Sequence, residues 1–321
     1  MSESAEHGRS SAPPGAGAPM GTANPPRAGR ADAPKGAVWV NGALVPPGEP
    51  ILAADDRGFT LGDGLFETMR AYGGRVFRLR AHLERLRSSA ARLGIPVPPD
   101  LEDAVRATLT ASGLDSAAVR LTLSRGPGSE GLALPEPARP TVVITVRPYA
   151  PAERWYVDGV RAVFARGRLN EHALTAGIKR LGYLDQVTAQ AEARAAGADE
   201  ALFLDTAGHL AEGAASNVFL VAGGALWTPP LSCGVLPGIT RAIVRELAAA
   251  AGIPVREEPL APEALRDASE AFLTSSLREL VPVIAIGGDP VGNGRPGPLT
   301  LRLLELYRRQ VCADHETSEA P

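Results

Sequence analysis

Thirty-three residues of this 321-residue chain are lysine or arginine, yet only Lys35 and Lys179 are lysines. Lys35 falls in a Pro/Ala/Gly-rich leader, so Lys179 is the one lysine of the part whose composition suits a folded core. A guanidinium stays protonated at any workable pH, whereas a lysine can lose its proton and form a Schiff base with a carbonyl. The count therefore marks Lys179 for amine chemistry; a codon bias toward arginine is the bland account of the same number. Residues 177–184 read GIKRLGYL, between a strand signal and a helix signal. That junction is a mouth position, and Tyr183, four residues on, would set a phenol on the same side of a small ligand as the amine.

Other groups of useful chemistry follow along the chain. Glu212 lies in LAEGAASNVF (210–219), directly before a strand signal and among small residues that let another molecule approach; a turn-closing role accounts for it equally well. GVLPGITR (234–241) leads into a helix. The free N–H groups of Ile239 and Thr240 at its positive end suit an anion, and so would a plain glycine turn with an N-cap. Thr274, Ser275 and Ser276 place three hydroxyls where an apolar strand stops, which ordinary turns also do. Arg85, beside Leu86 in AHLERL (81–86), reads by default as part of a solvated Arg–Glu face, and His82 as a packing or capping residue.

These groups need elements to hold them. Asn41-Gly42 between apolar runs predicts a hairpin, and a second is expected from strands over 65–72 and 75–79 around Gly73-Gly74. Helical periodicity covers 81–93 and 101–111, and strands are expected at 119–124 and 141–146. The two-proline stretch RPYAP (147–151) resists both helix and central strand. Beyond it come a strand (159–165), a helix (184–196), hairpin strands (201–205, 218–221), a helix (240–251), a strand (271–274) and a final helix (299–311). The expectation is an α/β chain of α+β character, with mixed or antiparallel sheets because hairpin signals are frequent. Its parts would be a disordered leader (1–35), an N-terminal domain (36–149), a linker (150–157) and a C-terminal domain carrying Lys179 (158–321).

Composition closes off several classes. A net charge of −3, with arginines scattered among acids, gives no basic stripe for nucleic acid. No apolar run approaches the length needed to span a bilayer. Cys233 and Cys312 form neither a disulfide framework nor a CxxC pair, and His7, His82, His172, His209 and His315 show no metal spacing. A soluble protein of the reducing cytoplasm without a catalytic metal is the expectation. GPGSEG (126–131) satisfies GxGxxG in letters but leads into LALPEP rather than a helix.

One amine, one acid, one arginine and a helix N-terminus with hydroxyls are what pyridoxal 5′-phosphate needs. In this order they resemble the class IV pyridoxal-phosphate aminotransferases of fold type IV, a group holding branched-chain and D-amino-acid aminotransferases and aminodeoxychorismate lyases. The resemblance runs from about residue 37 to the end. It implies that Lys179 forms the Schiff base and moves the α-proton, and that Glu212 of EGxxSN pairs with the ring nitrogen. It assigns the phosphate to Arg85 of HxxRL, the Ile239 and Thr240 amides, and the hydroxyls at Ser275 and Ser276. Tyr183 resembles a tyrosine that bonds the phenolic oxygen in some members, and Phe66, in GDGLFE (62–67), should line the substrate pocket. A homodimer is also implied.

Departures bear on substrate. The Arg-x-His segment of D-amino-acid aminotransferases is missing from loop 128–132, and Glu130 stands where lyases carry arginine. Thr-Ser-Ser replaces the Thr-Gly-Thr of branched-chain enzymes, while Glu67, a threonine in enterobacterial lyases, leans toward transfer. The resulting expectation is an aminotransferase working between a small amino acid and a 2-oxo acid. Its alternative is a lyase releasing pyruvate from aminodeoxychorismate.

Overall fold

The computed structural model describes residues 36–46, 48–49, 51–128 and 131–316. The leader expected over 1–35, and Ser129 and Glu130 of loop 128–132, lie outside them. Asn41 and Gly42 both take positive φ, 44° and 106°, as the two-residue turn between β1 (Ala37–Val40) and β2 (Ala43–Val45) demands. Asp56 accepts from the Gly58 N–H to start the short α1 (Arg57–Leu61). β3 (Gly64–Tyr72) then turns at Gly73-Gly74 into β4 (Arg75–Val76). That strand is shorter than its expected 75–79, since Arg78 takes φ 54° and Leu79 already opens α2 (Leu79–Leu93).

α3 (Leu101–Ser112), β5 (Ala117–Ser124) and β6 (Thr141–Pro148) follow. Strands in the order β2-β1-β6-β5-β3-β4 make an antiparallel sheet. Pro148 closes β6 opposite Ala117, at a strand end where a missing N–H is tolerated. Leu83 and Leu86 of α2 and Leu101 and Val105 of α3 are buried against Leu121 and Ile144 of this sheet. Each such side chain contributes about 1.5–3 kcal/mol by leaving water.

A second sheet takes up the rest. α4 (Arg154–Val157) stands within the stretch expected as a linker. β7 (Val160–Leu169), α5 (Leu184–Ala195) and β8 (Glu200–Asp205) make a parallel strand–helix–strand unit. Next come β9 (Leu210–Gly213), β10 (Ser216–Ala222), β11 (Ala225–Thr228), α6 (Ile239–Ala250) and β12 (Val255–Glu257). α7 (Ala264–Asp267), β13 (Glu270–Ser275), β14 (Glu279–Ile286), β15 (Asp289–Pro290) and α8 (Pro298–Glu316) complete the chain.

The strands order as β12-β11-β10-β13-β14-β7-β8-β9, with β15 beside β14. Because β9 pairs with both β8 and β10, six of them close on themselves. Phe219 stacks on Phe272 at 5.0 Å inside, in a core that also holds Val244 of α6 and Leu303 and Tyr307 of α8. Helices and strands are thus mixed in one antiparallel and one mixed sheet, the fold class expected from the sequence.

Candidate active site

Between β7 and α5 the chain is irregular yet fixed, because it hydrogen-bonds across to the first sheet. The Phe66 N–H donates to the Lys179 carbonyl (3.0 Å), and the Leu181 N–H donates to that of Gly64 (2.9 Å). Alternation along β3 then sends Phe66 toward Lys179 and its neighbour Glu67 toward α2. The Lys179 Nζ lies 4.2 Å from the Phe66 ring centroid and 3.4 Å from the Tyr183 hydroxyl, and the two rings meet edge to face at 5.1 Å. Burial pushes the amine down from 10.5 to about 8, against the pull of Glu67 and Glu212.

Arg85 does not lie on a solvated face. Its Nε and Nη2 donate to the two Glu67 oxygens (2.8 and 2.6 Å), and its Nη1 donates to the Pro237 carbonyl (2.9 Å). Three of its five N–H donors are used, so two remain for a ligand. Burial alone would raise the Glu67 carboxyl, but Arg85 and His82 hold it at about 2. Burial lowers the His82 pKa, with Glu67 opposing. An ionised Glu67 can only accept, so the His82 Nδ1, 2.7 Å away, carries the proton, and Nε2 faces the Ser276 hydroxyl at 3.5 Å.

Next to Arg85, α6 starts at Gly238 with no side-chain cap, leaving the amides of Ile239 and Thr240 at its positive end on the cavity wall. Gly238 has no room for a side chain, since a Cβ there would fall 1.9 Å from the Asn217 Oδ1. Thr274, Ser275 and Ser276 line the same cavity. The Ser275 Oγ accepts from the Arg278 N–H (3.3 Å), and the buried Thr274 hydroxyl has no partner among the described residues. Orphaned hydroxyl, uncapped helix and spare guanidinium donors are the chemistry of an anion cradle.

Glu212 lies inside β9 rather than before a strand. Its Oε2 accepts from the Leu236 N–H (2.8 Å) and the Asn217 Nδ2 (3.1 Å), and among the described residues Oε1 accepts no hydrogen bond. Burial pushes this carboxyl up to about 7, with the Leu236 amide and Lys179 opposing. A protonated ring nitrogen against Oε1 would restore the charged form.

Phe66, Arg85, Lys179, Tyr183, Glu212, the start of α6 and Thr274–Ser276 line one cavity of about 950 Å³, with Glu67 and His82 outside its lining. The residues proposed from the sequence, Lys179, Arg85, Tyr183, Glu212, Ile239, Thr240, Ser275, Ser276 and Phe66, therefore come together. Asn217 was missed although it closes the EGxxSN segment, and it is what orients Glu212. Arg120 was missed too; its signal is a lone charge in the apolar run of β5. Its guanidinium sits 3.9 Å over Phe66, makes no hydrogen bond to the described residues, and has its pKa lowered by burial.

The amine, the anion cradle and the free carboxylate oxygen fit an aldehyde-bearing, phosphorylated pyridine. A family profile, amino-transferase class IV, matches residues 64–286. This chain belongs to the class IV aminotransferases. It is 38% identical over 275 residues to a Methanocaldococcus jannaschii protein provisionally named a branched-chain-amino-acid aminotransferase, covering 84% of this chain and 95% of that one. It is 30% identical to the D-alanine aminotransferase of Staphylococcus haemolyticus, over 85% and 97% of the two chains. A T.th. branched-chain amino acid aminotransferase, solved with pyridoxamine 5′-phosphate, superposes with a TM-score of 0.80 at 32% identity, covering 86% and 94%. As a class IV aminotransferase the chain is a pyridoxal-phosphate-dependent transaminase.

Proposed function

We propose that this transaminase moves the amino group of a small apolar amino acid to a 2-oxo acid, with Lys179 as the base that moves the α-proton. The observation that carries the reading is the buried, deprotonatable Lys179 amine in the same cavity as the Arg85–α6 anion cradle. Arg85, the Ile239 and Thr240 amides, Ser275 and Ser276 would hold the cofactor phosphate, Glu212 the ring nitrogen, and Tyr183 the phenolic oxygen. Bound there, the cofactor supplies an aldehyde for amine exchange and a sink for the electrons left when the α-proton departs. Phe66, Trp155, Val187 and Leu277 give the cavity apolar walls for a small side chain, and Arg120 offers a countercharge to the substrate carboxylate. The relatives' names, branched-chain and D-alanine aminotransferase, support the same substrate range.

The same reading makes the protein a two-domain homodimer, with lobes 36–149 and 158–321 joined through 150–157. Two free cysteines, and the lack among the described residues of a helix long and apolar enough to cross a membrane, support a cytoplasmic location.

The test is a panel of L- and D-amino acids mixed with the holoenzyme. At least one apolar amino acid should bleach the Schiff-base absorption and yield its keto acid. Lys179→Ala should lose that absorption, and turnover should fall on the order of 10³-fold or more. Bleaching by none of the panel, with 4-aminobenzoate formed from aminodeoxychorismate, would make the protein a lyase instead.

A further inference from the structure

Away from the cavity, three side chains of metal-binding type converge where the β8–β9 turn meets the 3-10 turn Leu231–Cys233. The ligating atoms of Asp205, His209 and Cys233 all lie within 4.8 Å of one another, and none of the three lines the cavity. His209 and Cys233 are 24 positions apart, so spacing in the sequence hides the cluster.

The three donors are fixed by the backbone. The Asp205 N–H donates to the His209 carbonyl (2.8 Å), and the His209 N–H donates to the Asp205 Oδ1 (2.7 Å), clamping both ends of the turn. Cys233 is held by its N–H bond to the Pro230 carbonyl (3.0 Å) and is 2% exposed, as is Asp205. The His209 side chain is 39% exposed, which leaves one side open to solvent.

Charge argues in the same direction. Among the buried carboxylates, Asp56 and Glu270 are met by N–H groups and hydroxyls, whereas Glu67, Glu200 and Glu279 each meet an arginine. Asp205 does not; its basic neighbour among the described residues is His209, 3.3 Å away. Glu171 adds a second carboxylate nearby, bound to the Thr206 N–H (3.0 Å) and hydroxyl (2.6 Å). The Cys233 S–H hydrogen-bonds Asp205, so a cation at the cluster would take the place of that thiol proton.

We propose that Asp205, His209 and Cys233 form a binding site for a thiophilic divalent cation of the Zn²⁺ class. A mixed sulfur, nitrogen and oxygen set suits Zn²⁺, whereas Ca²⁺ and Mg²⁺ take oxygen alone. Three protein ligands leave the fourth tetrahedral position to water on the open His209 side. On binding, the Cys233 S–H bond breaks, its proton passes to solvent, and the thiolate pair forms the metal bond; nothing is oxidised or reduced. Cys233 also begins the run to Leu236 and Pro237, whose backbone bonds Glu212 and Arg85, so the ion would brace one wall of the active site.

Full-length holoenzyme, reduced and stripped of metal by a chelator, is dialysed against Zn²⁺ and assayed for bound metal and Tm. One equivalent per chain should bind and raise Tm. Cys233→Ser and His209→Ala should each weaken binding about tenfold or more, while Cys312→Ser, which alters an exposed thiol, should leave it unchanged. Absence of stoichiometric uptake by the wild type, or uptake that survives both site variants, overturns the proposal. If the buried Cys233 variant fails to fold, His209→Ala decides, because its half-exposed turn position tolerates truncation.

Discussion

Phe66, Tyr183 and the surrounding backbone strip water from the Lys179 amine, and burial brings it down to about 8 although Glu67 and Glu212 pull the other way. Protonation should therefore gate cofactor capture. Stopped-flow mixing of cofactor-free protein with pyridoxal phosphate should show a rate rising about tenfold per pH unit below 8 and levelling above it. A rate still rising about tenfold per unit between pH 8 and 10 would mean that the amine is not desolvated. Glu67 behaves oppositely. Its carboxyl drops from 4.5 to about 2, so its stabilisation is complete above pH 4.5 and drains as pH falls toward 2. Glu67→Ala should cost about 3–5 kcal/mol in urea unfolding by stranding Arg85 and His82, and should flatten stability across that acid window; Glu67→Gln should cost less. Lys179 was legible as the odd amine in an arginine-rich chain. The Arg85–Glu67–His82 contacts were not, because these residues lie 15 and 18 positions apart and only folding sets β3 against α2.

β3 is also tied to the second sheet. Glu279 of β14 is 2% exposed and takes φ 57°; it accepts from the Arg70 Nη1 (2.9 Å) and the Tyr72 hydroxyl (2.9 Å) of β3, and from the Arg308 Nε (2.8 Å) of α8. One carboxylate thus clamps both sheets and a helix just beyond the Thr274–Ser276 turn. Glu279→Ala should leave Arg70 buried and unpaired, costing about 3–5 kcal/mol by chemical denaturation. Arg308→Ala, with its side chain half exposed, should cost no more than about 1 kcal/mol. Equal losses from the two would refute the clamp. Local pattern foretold α2, α3 and the Asn41-Gly42 hairpin, where periodicity and turn residues agree. It was blind to β14, whose Pro282 reads as a strand breaker; β7 joins β14 only from Val283 onward, and the proline is accommodated. It also placed Glu212 directly before a strand rather than inside one, since a four-residue strand such as β9 is too short to show alternation.

Across the whole molecule, the sheet ends that build the cavity back onto an apolar outer face. Phe59 and Leu61 on α1 are 73% and 49% exposed, and Leu132 and Leu134 are 84% and 57% exposed. Buried Arg57 binds these two segments together, pairing with Asp63 (2.9 Å) and donating to the Gly131 and Ala133 carbonyls (3.2 and 3.0 Å). Clustered large apolar side chains of this kind mark an interaction surface, and a second copy of the chain is the partner that the proposed homodimer supplies. The face is coupled to chemistry, because the Leu181 side chain, two residues beyond Lys179, packs so close that a Cβ on Gly58 or Gly64 would come within 3.1 or 2.7 Å of it. Wild-type protein should sediment as a dimer at micromolar concentration. Phe59→Asp combined with Leu132→Asp should sediment as a monomer with unchanged circular dichroism, and should release the cofactor faster because the segment bearing Lys179 loses its backing. A double variant that stays dimeric, or a wild type that is monomeric, would assign this face to a different partner. A monomeric variant with full cofactor retention would instead show that β3 and the Glu279 clamp hold Lys179 without help from a second subunit.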